Sequence, residues 1–544
     1  MNGLPPPPGG VARHSKRVMN LAHFMRQSAR RYAGEIGFVW GEKTWTWAEL
    51  DRRVDAISAA LSERGVTKRD RVLVQSKNCN QLFESMFACF RIGAVWVPTN
   101  FRQTADEVAY LAEASGASAM ICGSDFPDHA RACRDAARTI RFVLSIGASE
   151  FGEDYDGLAE AYAGRPAATA PVEQDDPCWF FFTSGTTGRP KAAVLTHGQM
   201  GFVTTNHLCD LMPGTTHRDA CLVVAPLSHG AGIHAMAQVA RGAKTVLLSG
   251  DRFDSEAAWR LVEKWGISNM FTVPTVLKML VEHPSVDVYD HSSLRHVIYA
   301  GAPMYREDQK RALAKLGKVL VQYFGLGEVT GNITVLPAEL HEVEDGAHVK
   351  IGTCGYERTG MQISIQGDDG HELPPNQMGE ICVCGLAVFA GYYNDPEANA
   401  KAFRDGWFRT GDLGHVDEQG FLYITGRASD MYISGGSNVY PREIEEKILT
   451  HPAIAEVAVF GIPDRTWGEV GVCLCVLGQG AQLNERELLT WLEARVARYK
   501  LPKRVFFWDE LPKTGYGKIS KKLLRAELEA RGSLPLNETE RVSA

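Results

Sequence analysis

Between residue 45 and about residue 335 the chain keeps changing period. Helical spacing of apolar side chains gives way to short apolar runs and then returns, and the runs read "RVLVQ", "GAVWVPTN", "SAMICG", "CWFFF", "ACLVVAP", "AKTVLLSG", "NMFTV", "HVIYAGAP" and "VLVQYFG". Continuous runs of this length suit strands buried on both faces, and the helices between them supply the cover. The alternation therefore predicts an α/β fold with helix-covered parallel sheets. From about 345 to 428 the helices thin out, and "MQISIQG", "GEICVCG" and "FLYITGR" predict a β-rich subdomain. Beyond "GRASDMYISGGSN" the order becomes helix ("REIEEKILT"), strand ("EVAVFGI"), strand ("VCLCVLG"), helix ("ERELLTWLEARVARY") and strand ("RVFFWDE"), a small α+β domain. A chain of 544 residues exceeds what one core serves. The expected division is a large N-terminal domain over residues 1–429, containing the β-rich part, and a C-terminal domain over 430–544.

Composition narrows the function classes. With 45% hydrophobic and 23% charged residues the chain is an ordinary globular protein, and a net charge of −7 with no basic stripe excludes a nucleic-acid binder. The 12 cysteines are scattered without a CxxC pair, which suits a reduced, cytoplasmic protein better than a disulfide or zinc framework. Cys382 with Cys384, and Cys473 with Cys475, are spaced to lie on one face of a strand. No apolar run reaches the roughly 18 residues of a membrane span. The basic stretch "VARHSKRVMNLAHFMRQSARRY" carries Leu21, Phe24, Met25 and Ser28 at helical spacing, and is expected to be a first helix docked on the body rather than a targeting peptide.

The chemistry concentrates in "FFTSGTTGRPK". Gly185 and Gly188 let the backbone turn with its amides inward, Thr183, Ser184, Thr186 and Thr187 add hydroxyls, and Lys191 places a positive charge at the edge. That is a cradle for phosphate oxygens, expected at a strand-to-helix junction where anions bind well. It is not a Walker A loop, because Pro190 precedes the lysine and Ala192 follows it. Further stretches suit the same ligand. "YAGAPM" (Gly301, Ala302, Pro303) and "VQYFGLGEVTG" follow apolar strands. The second offers Tyr323 and Phe324 for stacking on a flat base, Gly325 for the turn, and Glu328 as a hard oxygen ligand for Mg2+. Asp412 in "GWFRTGDLG" reads as a turn carboxylate able to accept two ribose hydroxyls. Arg427 is followed by a polar joint with Gly435 and Gly436, and Lys518 lies on a loop near the C-terminus.

Taken in order, "TSGTTGRPK", "GLGE", "GWFRTGD", "GRASD…GGSNVYPREIE" and "PKTGYGK" resemble the motifs of the adenylate-forming superfamily across essentially the whole chain. The resemblance implies activation of a small-molecule carboxylic acid by ATP, with Mg2+, to an acyl-adenylate, followed by capture on a thiol, with coenzyme A as co-substrate. Carried across by motif, the 183–191 loop would hold the β- and γ-phosphates, with Thr187 and Lys191 in catalytic roles, and residues 301–303 and Phe324 would flank adenine. Glu328 would hold the metal, Asp412 and Arg427 the ribose, and Lys518 would bridge the carboxylate and the α-phosphate. The C-terminal domain would be mobile about a hinge at Asp430. The acid would lie beneath "PLSHGAGIHAM", "NHLC", "VPTV" and "GLGEVTGN", with His207, His229, Gly232 and Gly327 around it. Two departures stand out: Gly327 replaces the family's usual threonine, and Ser429 replaces the lysine that often precedes the hinge acid.

Several functions fit these motifs. An acyl-CoA synthetase for a medium- or long-chain fatty acid or an aromatic acid leads. A freestanding enzyme that loads a carrier-protein thiol is the alternative, and a luciferase-like oxygenase stands behind both. A non-catalytic nucleotide sensor should have lost the last lysine, yet Lys518 is present. A second copy of the chain, forming a homodimer, is left open as a partner.

Overall fold

The computed structural model describes residues 17–183, 189–250, 252–302, 304–346, 349–427, 429–434, 437–513 and 519–531. The chain forms two compact units: Met1–Arg252 with Gly327–Thr330 and Leu386–Pro396, and Phe253–Leu326 with Gly331–Gly385 and Glu397–Ala544. Two short segments of the later chain therefore belong to the first unit.

The first unit is built on a seven-stranded sheet. Its order is Glu153–Asp154, Val143–Ile146, Ala119–Gly123, Arg71–Gln75, Val95–Pro98, Pro177–Thr183 and Lys191–Thr196. Every neighbouring pair is parallel except the last, Pro177–Thr183 against Lys191–Thr196. The expectation of parallel sheets under helices holds here because each crossover helix buries one apolar face. Trp47–Glu63 is opened by a Thr46–Glu49 capping box, and Asn80–Ile92 is buried along its whole length. Trp96 and Trp179, both buried, meet edge to face with centroids 4.6 Å apart across neighbouring strands. Such a pair adds about 0.5–1.5 kcal/mol beyond the area it buries. The same unit holds Ala220–Val223, Lys244–Leu247, Ile36–Trp40 and Lys43–Thr46, paired in that order. The first helix, His23–Arg31, docks as its spacing requires, with Phe24, Met25 and Ser28 buried and Ser28 donating to the Val239 carbonyl.

In the second unit Asn269–Thr272, His296–Tyr299 and Leu320–Phe324 run parallel, and Thr334–Leu336 returns antiparallel. The β-rich part is an antiparallel sheet of Met361–Gln366, Gly379–Gly385, Trp407–Val416, Leu422–Arg427 and the short Phe403–Arg404. The α+β part pairs Ile454–Asp464 with Gly468–Leu477, adds Arg504–Phe507 in parallel, and packs Pro441–Ile448, Glu485–Glu493 and Lys521–Ala530 on the two faces. Cys473 and Cys475 lie in this core with their sulfurs 3.4 Å apart, and no disulfide joins any of the cysteines. Among the described residues no helix is long and apolar enough to cross a membrane.

One local expectation changes. The 183–191 loop does not lead from strand directly into helix: the strand Lys191–Thr196 comes between, paired antiparallel with Pro177–Thr183, and the helix His197–Asn206 follows it. Its start is fixed by a capping box in which Thr196 and Gln199 satisfy each other's backbone amides. That helix then widens into a π-helical turn over His207–Leu211.

Candidate functional site

In the first unit the hairpin pins both ends of the loop, since Thr183 and Lys191 are cross-strand partners. Ser184, Gly185, Thr186, Thr187 and Gly188 lie outside the described residues. Beside the hairpin, Gly327–Val329 forms a single 3-10 turn that carries Glu328, which is buried. The Thr183 hydroxyl donates to Glu328 Oε1 at 2.8 Å, and the Tyr392 hydroxyl donates to the same oxygen at 2.9 Å. The backbone of the turn is held as well, because the Phe389 amide donates to the Glu328 carbonyl at 2.8 Å. The carboxylate is therefore oriented by two stretches of chain, the hairpin strand that carries Thr183 and the 386–396 segment that carries Tyr392.

Tyr392 belongs to "GYYND", which the sequence reading passed over. Residues 390–393 lie along the return strand of the hairpin: the Ala390 amide donates to Val194, the Val194 amide to Gly391, and the Tyr393 amide to Ala192. This pairing aims Tyr392 at Glu328 and brings Asp395 within 4.0 Å of Lys191 Nζ. The same ammonium stands 5.4 Å from the centre of the Tyr392 ring. The signal that could have found Tyr392 is a tyrosine in a Gly- and Asn-bearing turn ahead of a proline, but its partners are set only by the fold.

The acid-facing candidates are also in this unit. His229 caps the helix Gly230–Arg241, and its ring meets Phe181 edge-on with centroids 4.8 Å apart. His207 opens the π-helical turn; its Nδ1 donates to the Val203 carbonyl at 3.1 Å, and its ring centroid is 6.3 Å from that of His234. Gly232 and Gly327 both face aromatic rings of the Pro177–Thr183 strand.

In the second unit, Leu320–Phe324 ends at the glycine turn that carries Gly325. A Cβ at Gly325 would lie 2.5 Å from the Gly331 backbone, so the turn closes glycine against glycine. Tyr323 stacks one face on Phe271 at 5.9 Å and fills the space beside Gly331. Burial pushes its phenol above the usual tyrosine range. Its other expected neighbour in the base site is Phe324, the last residue of the strand. Gly301, with φ of +84°, and Ala302 follow the strand His296–Tyr299, while Pro303 lies outside the described residues.

Asp412 is not on a turn. It sits inside the long strand Trp407–Val416, buried, directly across from Arg427, whose Nε is 2.7 Å from its Oδ1. Gly411, at φ +72°, and a register shift after Leu413 give this strand the irregularity that the sequence displays as a turn signal. The hinge candidate Asp430 follows Leu422–Arg427; its amide donates to the Arg427 carbonyl at 3.1 Å, and its carboxylate is 3.8 Å from Lys521 Nζ. Gly435, Gly436 and Lys518 lie outside the described residues.

Comparison with known proteins gives the family. The AMP-binding enzyme family model matches residues 25–393, and the AMP-binding enzyme C-terminal domain model matches residues 443–518. The chain is 38% identical over 485 residues to a feruloyl-CoA synthase of Amycolatopsis sp, spanning 88% of this chain and 93% of that protein. It is 34% identical over 503 residues to an indoleacetate–CoA ligase of Aromatoleum aromaticum, spanning 92% and 97%. Among solved structures, ATP-bound MatB from Rhodopseudomonas palustris superposes with a TM-score of 0.83 at 28% identity, over 94% of this chain and 99% of that one. The chain belongs to the AMP-binding enzyme family, the adenylate-forming superfamily, in its acyl-CoA synthetase branch. It is an AMP-forming ligase.

Proposed function

We propose that this protein is an ATP-dependent acyl-CoA synthetase whose acid is aromatic. The observation that carries the reading is the buried Glu328 carboxylate, held by the Thr183 and Tyr392 hydroxyls at the foot of the 183–191 loop. A carboxylate fixed beside a phosphate cradle would by itself repel phosphate, so its placement suits an enzyme in which a divalent cation between the two would offset the phosphate charge. Both relatives described above are named for aryl acids, and half-buried His229 stands edge-on to the Phe181 ring among the candidate acid-site residues.

The residues divide the work as follows. The loop amides and hydroxyls, with Lys191 at the edge, bind the β- and γ-phosphates. Asp412 and Arg427 hold the ribose, and Phe324 with the 301–303 turn flanks the base. Lys518 touches carboxylate and α-phosphate together, which lowers their repulsion and fixes the angle of attack. Mg2+ fits the donor set. Among the described residues no group of three or more His, Cys, Asp or Glu could hold a metal alone, whereas one hard carboxylate oxygen set supplied by Glu328 suits an ion that keeps water and phosphate ligands. Bound there, it would offset the phosphate charge. After adenylation the domain beginning near Asp430 changes pose so that the thiol can enter.

The test is acid-dependent pyrophosphate release over acetate, decanoate, benzoate and cinnamate, followed by thiol choice. Release with benzoate or cinnamate and thioester formation on free CoA is the expected result. Acylation of a carrier protein with none on CoA would move the reading to the carrier-loading alternative.

The basic run "RVARYKLPKR" (Arg495, Arg498, Lys500, Lys503, Arg504), whose charge suits the anionic nucleotide end of CoA, divides in the structure. Lys500 Nζ makes two 2.7 Å bonds to Glu443, Arg504 pairs with Glu485, and Arg495 covers Trp491. Lys503 instead stands 5.9 Å from the ring centre of Trp467, which is 50% exposed. An exposed indole beside a cation suits an adenine ring and its phosphates, with stacking worth about 1–3 kcal/mol. Trp467→Ala and Lys503→Glu are expected to raise the apparent KM for CoA about tenfold while leaving that for ATP unchanged. Equal KM values for CoA in variant and parent would remove this surface from the coenzyme site.

A further inference from the structure

Gly232 and Gly327, placed around the acid, do not open space there. A Cβ on Gly327 would lie 2.7 Å from Cδ1 and Cε1 of Phe181 and 2.8 Å from Cγ2 of Thr183. Ordinary carbon contacts are about 3.5–4.0 Å, so the volume beside Gly327 is already occupied by the ring. Gly232 is similar: its Cβ would meet the Leu227 carbonyl oxygen at 2.0 Å and the Trp179 ring at 3.0 Å. Trp179 and Phe181 are two residues apart on the Pro177–Thr183 strand and therefore point to the same side of it. Their ring centroids are 6.0 Å apart, and Phe181 goes on to meet His229 at 4.8 Å with the planes at 61°. Phe181 is 9% exposed. One ring thus touches the glycine of the Glu328 turn on one side and the histidine of the candidate acid site on the other.

We propose that Phe181 is a specificity-determining residue for the carboxylic acid. Its ring takes the volume that a side chain at position 327 would need, and its edge sets where the His229 imidazole stands. The pair Phe181 and Gly327 exchanges volume across the strand and the turn. A smaller side chain at 181 frees space toward His229 for a longer or bulkier acid. A side chain at 327 against the intact ring drives both Phe181 and Thr183 away, and Thr183 is a hydroxyl partner of Glu328. This inference rests on the proposed adenylation of an acid in this unit.

The experiment uses full-length protein with Phe181→Leu, Gly327→Thr and the double variant, read by ATP–pyrophosphate exchange with acetate, benzoate, cinnamate and decanoate, and by thermal unfolding. Phe181→Leu should shift the kcat/KM ratio of cinnamate to benzoate by about tenfold or more, with the KM for ATP unchanged. Gly327→Thr alone should lose activity with every acid and lower Tm, and Phe181→Leu added to it should restore most of both. A change of the same factor on all four acids would overturn the specificity role. Single-variant effects that simply multiply in the double variant would overturn the volume exchange, because residues in contact must couple. Exchange with no acid in the unaltered enzyme would sink the adenylation reading and the specificity role with it, while the Tm cycle judges the packing on its own.

Discussion

Lys518→Ala is expected to lower kcat and kcat/KM for adenylation together, by about 100-fold or more, and to leave the conversion of synthetic acyl-AMP to the thioester intact. A preorganised cation that meets the reacting groups chiefly in the transition state contributes on that scale, and its loss appears in kcat rather than in KM alone. Pyrophosphate exchange follows the first half-reaction, and thioester formation from preformed acyl-AMP follows the second. Asp430→Pro is the complementary variant, because a fixed φ resists the backbone rotation that changes pose. The structure adds a control to it. The Asp430 amide donates to the Arg427 carbonyl, and proline removes that hydrogen bond, worth about 0.5–1.5 kcal/mol. Asp430→Ala keeps the amide, so a thioester defect confined to the proline variant points to the hinge. Equal loss of both half-reactions in Lys518→Ala and in Asp430→Pro would defeat the two-pose model.

The second large effect belongs to Glu328. Glu328→Gln preserves shape, and its amide oxygen can still accept the Thr183 and Tyr392 hydroxyls, so the fold is expected to stand and Tm to stay close to the parent value. Only the charge is lost. Adenylation should fall by roughly 100- to 1,000-fold, with a higher Mg2+ concentration needed for half-maximal rate. Tyr392→Phe removes one of the two donors that orient the carboxylate and should cost about tenfold, since one charge-assisted hydrogen bond is worth about 1.5–3 kcal/mol at most. A Glu328→Gln enzyme within threefold of the parent, with an unchanged Mg2+ requirement, would remove this carboxylate from the phosphate chemistry.

Much of the architecture is legible in the sequence because it is local. Period changes from helix to strand mark the parallel sheets, and the glycine and hydroxyl clusters mark the turns. What escaped is what depends on partners far along the chain. The helical spacing begins only at "HGQM", and it is pairing with Pro177–Thr183 that makes the intervening "KAAVLT" a strand. Asp412 looks like a turn residue between Gly411 and Gly414, yet the sheet straightens that stretch across from Arg427. Tyr392 and Phe181 carry no local sign of their partners: one is aimed at Glu328 by strand pairing, and the other fills the space left by the missing side chain at Gly327.

The first unit is discontinuous, and that has a consequence for synthesis. Residues up to 252 supply the sheet and the hairpin of Pro177–Thr183 and Lys191–Thr196, but Glu328 and Tyr392 reach the unit only through the segments 327–330 and 386–396. A ribosome-bound chain must therefore be extended past residue 392 before Thr183 and Tyr392 can both meet the Glu328 carboxylate. A fragment ending at 252 lacks both Glu328 and Tyr392.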